Sequence, residues 1–142
     1  MVDRLTVENR SRLMARVRQR DTQPEMAVRR ALHKMGFRFR LHRKDLPGCP
    51  DIVLPRFRLA IFVHGCFWHQ HAGCGKAKLP STRTDWWAAK LEKNTLRDQR
   101  AVGLLEQSGW RAEIVWECQT FDEAALTALI QSTIPYAQDR EI

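Results

Sequence analysis

The period of apolar residues changes several times along this chain, and each change marks a predicted element. Near the start, Leu13, Met14 and Val17 share one helical face and are flanked by Arg4, Arg10, Arg12, Arg16, Arg18 and Arg20, which predicts a basic amphipathic helix or arm over residues 1–20. Thr22-Gln-Pro-Glu25 has capping-box spacing with proline in the first turn, so a helix is expected from there to about Met35, ended by Gly36. Phe37-Arg-Phe-Arg-Leu41 alternates in strand period, Leu46-Pro-Gly48 reads as a turn, and Asp51-Ile-Val-Leu54 as a short strand. Leu59-Ala-Ile-Phe-Val63 is nearly all apolar, as a strand buried on both faces would be. Residues 64–83 carry no period. A long helix then opens at Thr82 or Thr84 and ends by Gly109, with its apolar period faltering at Arg97-Asp98. Ala112-Glu-Ile-Val-Trp116 predicts another strand, and Asp122 caps a last helix toward Ile134, stopped by Pro135. After the arm the order is α-β-β-β-α-β-α, which predicts an α/β chain built as a mixed α+β sheet flanked by helices.

Length fits that plan into one domain: 142 residues with no internal repeat or linker give a single unit over 1–142, with its core over residues 21–135. No stretch approaches the roughly 18 apolar residues of a spanning helix, so no membrane partner is expected. The first residues are charged where an export signal would be apolar, which points to the cytoplasm. A net charge of +8 favours a polyanion, with nucleic acid the first choice. Trp68 and Trp87 stand among polar residues and are poorly explained as core.

The densest chemistry is His64-Gly-Cys66-Phe-Trp68-His69-Gln-His71-Ala-Gly-Cys74, directly after the most apolar strand. Cys66, Cys74 and one His offer three zinc ligands from one loop, and Cys118, just past the last strand, closes a set of three Cys and one His if the two strand ends meet. Cys49 is expected to be an unrelated buried thiol. A filled four-ligand zinc is structural, so catalysis would rest on Asp51, His64, His69 and Glu25. One Asp with a nearby carbonyl can hold Mg²⁺, and two His free of zinc can position water or move protons. Each has a plainer reading: Asp51 as a turn residue, Glu25 as a cap, either His as packing. Phe67-Trp68 and Trp86-Trp87 can stack on bases, one of the latter pair being expected to cover the sheet instead. Lys90, Lys93 and Asn94 can meet phosphates or base edges, Lys93 being expected to face solvent.

Together these segments resemble the very-short-patch-repair (Vsr-type) DNA mismatch endonucleases. The match is carried by Arg20-Asp-Thr22 with Glu25, Pro47-Gly-Cys-Pro-Asp51, Ile61-Phe-Val-His-Gly-Cys-Phe-Trp-His69, Thr82-Arg-Thr84, Lys93-Asn94 with Arg97-Asp98, and Gly109-Trp110 through Ile114-Val-Trp-Glu-Cys118. The resemblance implies a PD-(D/E)XK-like restriction-endonuclease core, with Asp51 and the Val63 carbonyl on catalytic Mg²⁺ and structural Zn²⁺ on Cys66, His71, Cys74 and Cys118. It implies that His64 and His69 serve water, with His69 the general base and Glu25 in support. Phe67, Trp68 and Trp87 would enter the DNA beside the mismatch, and Met14 would lie toward the minor groove. Such an enzyme nicks one strand of duplex DNA beside a T:G mismatch left by deamination of 5-methylcytosine. It is expected to be a bacterial, nucleoid-associated monomer, with other mismatch-repair proteins as candidate partners. The family usually has Thr where this chain has Val63 and Arg where it has Cys49, and its zinc loop is one residue shorter than the one through Ala72-Gly73. Two other readings remain open on the residues themselves. One is a nicking endonuclease of looser specificity for distorted or A·T-rich DNA; the other is a non-catalytic zinc-stabilised DNA-binding module.

Overall fold

The computed structural model describes residues 20–134; the arm over residues 1–20, apart from Arg20, and with it Met14, lies outside them. Helix α1 (Gln23–Lys34) starts at Thr22, whose hydroxyl accepts the Glu25 N–H at 3.3 Å. Only that half of the capping box forms, because the Glu25 side chain turns away to His42 and Arg29. The helix ends in a Schellman motif: Gly36, at φ +85°, donates to His33 O and Phe37 donates to Leu32 O, both at 3.0 Å.

That ending shortens the first strand. Phe37 is drawn into the core against Phe57, so the expected strand over 37–41 is reduced to β1 (Arg40–Leu41). It pairs antiparallel with β2 (Ile52–Leu54), which pairs antiparallel with β3 (Leu59–His64). Helix α2 (Thr84–Gln107) then returns the chain so that β4 (Arg111–Trp116) lies parallel to β3, giving the mixed order β1-β2-β3-β4. Helix α3 (Glu123–Thr133) is capped by Asp122, whose carboxylate accepts the Ala124 and Ala125 N–H groups.

The two faces of the sheet are covered separately. Ile52, Leu54, Leu59, Ile61 and Val115 pack with Val28 and Leu32 of α1 and Leu126 and Ile130 of α3. On the other face Ala60 and Phe62 pack with Ala101 and Leu105 of α2. Burial on both faces is why β3 reads as an unbroken apolar run. Gly48 makes the second contact possible: a Cβ there would stand 2.6 Å from Ala101 Cβ, and its φ is +76°.

Burial overturns two readings of the sequence. Cys49 is exposed, not buried, at φ +49° in the turn that delivers Asp51. Trp87 is 1% exposed and belongs to the core under the aromatic loop. Helix α2 is the long helix expected after residue 83 and runs through Arg97-Asp98, where the apolar period falters.

Candidate functional site

Strands β2 and β3 present their chemistry at one end of the sheet. Antiparallel pairing of Ile52 with Ile61 sets Asp51 beside the end of β3, where its Oδ2 accepts the Val63 N–H at 2.7 Å. Burial raises the Asp51 carboxyl to about 6, opposed by that hydrogen bond and reinforced by the nearby Glu25. Glu25, 1% exposed, is held by His42 Nε2 at 2.8 Å and by Arg29, which also pairs with Asp21 at 2.5 Å.

His64 ends β3 and is 5% exposed. Its ring stacks on His69 with centroids 3.7 Å apart and planes 7° from parallel, and burial pushes its pKa down to about 4. Two imidazolium rings at that separation would repel, so His64 is neutral at neutral pH. Its Nδ1 is buried without a protein partner, unlike most buried polar atoms. His69 Nδ1 meets Asp98 Oδ2 at 2.6 Å. This carboxylate is the reason the apolar period of α2 falters: Asp98 takes an inward position and spends it on a histidine. The interruption itself was the available signal, but nothing in it named the partner.

The Asp51 carboxylate on the Val63 N–H and the stacked His64 and His69 rings thus gather oxygen and nitrogen donors at one end of β3. A hydrated Mg²⁺ fits this donor set, because it takes one or two protein oxygens and keeps water, and the orphaned His64 Nδ1 has need of such a partner.

A second cluster lies beyond the same strand ends. In the parallel pairing His64 lies opposite Trp116, so Cys66 and Cys118, each two residues further on, are brought together. Cys66, His71, Cys74 and Cys118 place their ligand atoms within 4.8 Å of one another. The His71 Nδ1 to Sγ separations are 3.7 Å for Cys66 and 3.4 Å for Cys118. A tetrahedron with Zn–S of about 2.3 Å and Zn–N of about 2.0 Å has an S···N edge of about 3.5 Å, so the cluster has the size of a zinc site. Burial pushes the Cys66 thiol up to about 11, which a cation would reverse. His71 stacks on Trp116 at 4.2 Å, and the Cys66 N–H donates to Glu117 at 3.2 Å.

Between the clusters, Phe67 and Trp68 are half-buried over Trp87, at centroid distances of 5.6 and 6.1 Å. Asn94 donates to Trp68 O at 3.3 Å and so props this loop from α2, while Lys90 is exposed with its ammonium 5.3 Å from the Trp86 ring. The structure therefore brings Asp51, Val63, His64 and His69 together, and gathers the four cluster ligands. Asp98 and Glu117 fall within segments that carry the family resemblance, Arg97-Asp98 and Ile114-Val-Trp-Glu-Cys118, but had no role assigned from sequence, and His42 lies in no segment that drew attention to it.

A family model described as DNA mismatch endonuclease Vsr matches residues 2–76. The chain is also 53% identical over 134 residues to the type II nicking enzyme V.XorIIP of Xanthomonas oryzae pv. oryzae, covering 94% of this chain and 98% of that protein. The chain belongs to the Vsr family. It is 43% identical over 118 residues to the DNA mismatch endonuclease Vsr of Escherichia coli K12, covering 83% of this chain and 75% of that one. A Neisseria meningitidis serogroup A relative, the type II nicking enzyme V.NmeAIP, is 40% identical over 124 residues, 87% of this chain and 88% of its own. Vsr membership makes the protein a DNA endonuclease, and the mixed sheet with its helices is consistent with a restriction-endonuclease-like fold. A non-catalytic DNA-binding module is thereby set aside. No described helix is long and apolar enough to cross a membrane.

Proposed function

We propose that this Vsr family protein nicks one strand of duplex DNA beside a T:G mismatch, using Mg²⁺ at Asp51 and a structural Zn²⁺ on Cys66, His71, Cys74 and Cys118. The observation that carries the reading is the end of β3, where a half-buried carboxylate, a neutral histidine with an orphaned nitrogen and a carboxylate-held histidine converge. Asp51 and the Val63 carbonyl would hold the divalent ion, which supplies Lewis-acid stabilisation of the charge that develops on the phosphate.

The residues themselves account for the proton traffic. Asp98 accepts from His69 Nδ1 and so fixes the tautomer that leaves Nε2 bare. That nitrogen removes a proton from the attacking water, and Asp98 steadies the imidazolium that results. His64, kept neutral by burial, orients water by hydrogen bonding and adds no second positive charge beside His69. Glu25 is locked by His42 and Arg29 and fixes the water network from the α1 side.

Recognition is assigned to the aromatic loop. Phe67 and Trp68 are the wedge, and Trp87, being buried, is the platform that supports them. A T:G wobble pair is more easily unstacked than a matched pair, so a rigid aromatic wedge discriminates by the energy of deformation. Lys90 and Asn94 flank the wedge, Asn94 with its side chain already committed to the loop. The decisive experiment compares purified protein with Mg²⁺ on T:G and matched duplexes of the same sequence. Single-strand nicking confined to the T:G duplex is expected; equal nicking of both would favour an enzyme of looser specificity.

A further inference from the structure

The four cations of α2 lie on one side of it. Leu91, Asn94, Asp98, Ala101 and Leu105 mark the inward face, through burial or through their bonds to the loop and to His69. At about 100° per residue, Lys90, Lys93, Arg97 and Arg100 fall in a single stripe about 100° to one side of that face. All four are exposed. The stripe on the opposite flank holds Glu92, Thr95, Gln99 and Glu106 and has no cation. Among the described residues no carboxylate pairs with any of the four cations; the contact seen is Lys90 over the Trp86 ring. Solvated helix faces mix signs along i,i+4 spacings, and this one has segregated them.

From the segregation and from where the stripe begins, we infer that this flank of α2 is a phosphate track for one duplex arm. That arm leaves the mismatch at Trp86 and follows the helix to Arg100. The inference rests on the reading of the protein as a DNA-nicking enzyme and extends it. Lys90 and Trp86 sit beside Trp87 and the aromatic loop, so the track starts at the wedge. From residue 86 to 100 the helix rises about 21 Å, the length of about six base pairs. The acidic flank repels the backbone, so the contact is one-sided, and the two arms of the duplex are unequal for binding.

The test uses the full chain with its zinc, without added Mg²⁺, and fluorescently labelled T:G duplexes shortened on one side or the other. Wild type is expected to lose affinity when one particular arm falls below about six base pairs. The variant Lys93→Gln/Arg97→Gln/Arg100→Gln should no longer respond to that arm. Its salt slope should be shallower by about 2.7, so that it loses about 40-fold less affinity than wild type between 50 and 200 mM salt. Arg97→Lys/Arg100→Lys, which keeps the charge, and Glu92→Gln/Glu106→Gln, on the other flank, should both retain the wild-type slope. A triple variant with the wild-type slope, or a wild type that responds equally to both arms, overturns the track. Failure to nick T:G duplexes in a separate assay with Mg²⁺ would overturn the proposed function and leave this binding result standing.

Discussion

Replacing Asp51 by Asn keeps the shape of the side chain and an oxygen to accept the Val63 N–H, and removes only the charge. Burial lifts the Asp51 carboxyl from its ordinary 3.8 to about 6 in the folded protein. The folded state therefore binds this proton more tightly than the unfolded chain. Its favourable contribution is present below about pH 4, is lost as pH rises toward 6, and above that the native state bears the whole penalty of a buried charge. At about 1.4 kcal/mol for each tenfold change in proton affinity, the penalty is on the order of 3 kcal/mol. Asp51→Asn should thus abolish nicking and yet raise Tm at pH 7.5, by roughly 6 to 12 °C for a chain of this size. The assay is thermal unfolding by circular dichroism for both proteins from pH 4.5 to 8, without divalent cations and without a chelator that would strip zinc. The quantity of interest is the difference between variant and wild type at each pH, in which contributions from the zinc cluster cancel. That difference should shrink steadily as pH falls from 7 toward 4.5. A difference that stays constant with pH, or a variant less stable than wild type at pH 7.5, would refute the reasoning.

Asp98→Asn should lower the nicking rate by about 10²- to 10⁴-fold with DNA affinity kept, since it loosens the tautomer of His69 and leaves the binding surface intact. Single-turnover kinetics beside a binding curve will separate the two. Cys118→Ser should reduce zinc from about one equivalent to less than about half and unfold the end of the sheet; elemental analysis and a melting curve check this, and full zinc occupancy in the variant would remove Cys118 from the ligand set. Gly48→Ala combines a backbone at φ +76° with a Cβ 2.6 Å from Ala101, and should cost about 2 to 4 kcal/mol in denaturant unfolding. Trp68→Ala should narrow the ratio of T:G to matched-duplex binding by an amount on the order of 1 to 3 kcal/mol in competition assays at one salt concentration. If only thermal stability falls, the wedge lies elsewhere.

What the sequence determined by itself was the set of elements and the groups that carry chemistry. Apolar period and caps mark α1, β2, β3, α2, β4 and α3 because local geometry is written at short range: residues two, three and four apart face the same way. The ligand types at Cys66, His71, Cys74 and Cys118, and the Pro-Asp and His-Gly-Cys-Phe-Trp-His segments, were likewise legible, because thiols, imidazoles and carboxylates announce their reactions wherever they lie. Tertiary structure alone decided which of them meet. The parallel register of β3 with β4 joins Cys66 to Cys118, and the packing of α2 across the sheet delivers Asp98 to His69 over 29 positions of sequence. It also decided burial, which sequence composition misjudged at Trp87 and Cys49: a polar stretch can close over a tryptophan, and a turn held at positive φ can leave a thiol outside. The proton affinities of Asp51 and His64 belong to the same category. An isolated carboxyl or imidazole carries its solution value, and only the removal of water around it by distant parts of the chain moves it, raising Asp51 to about 6 and lowering His64 to about 4, which keeps His64 neutral as its proposed role requires.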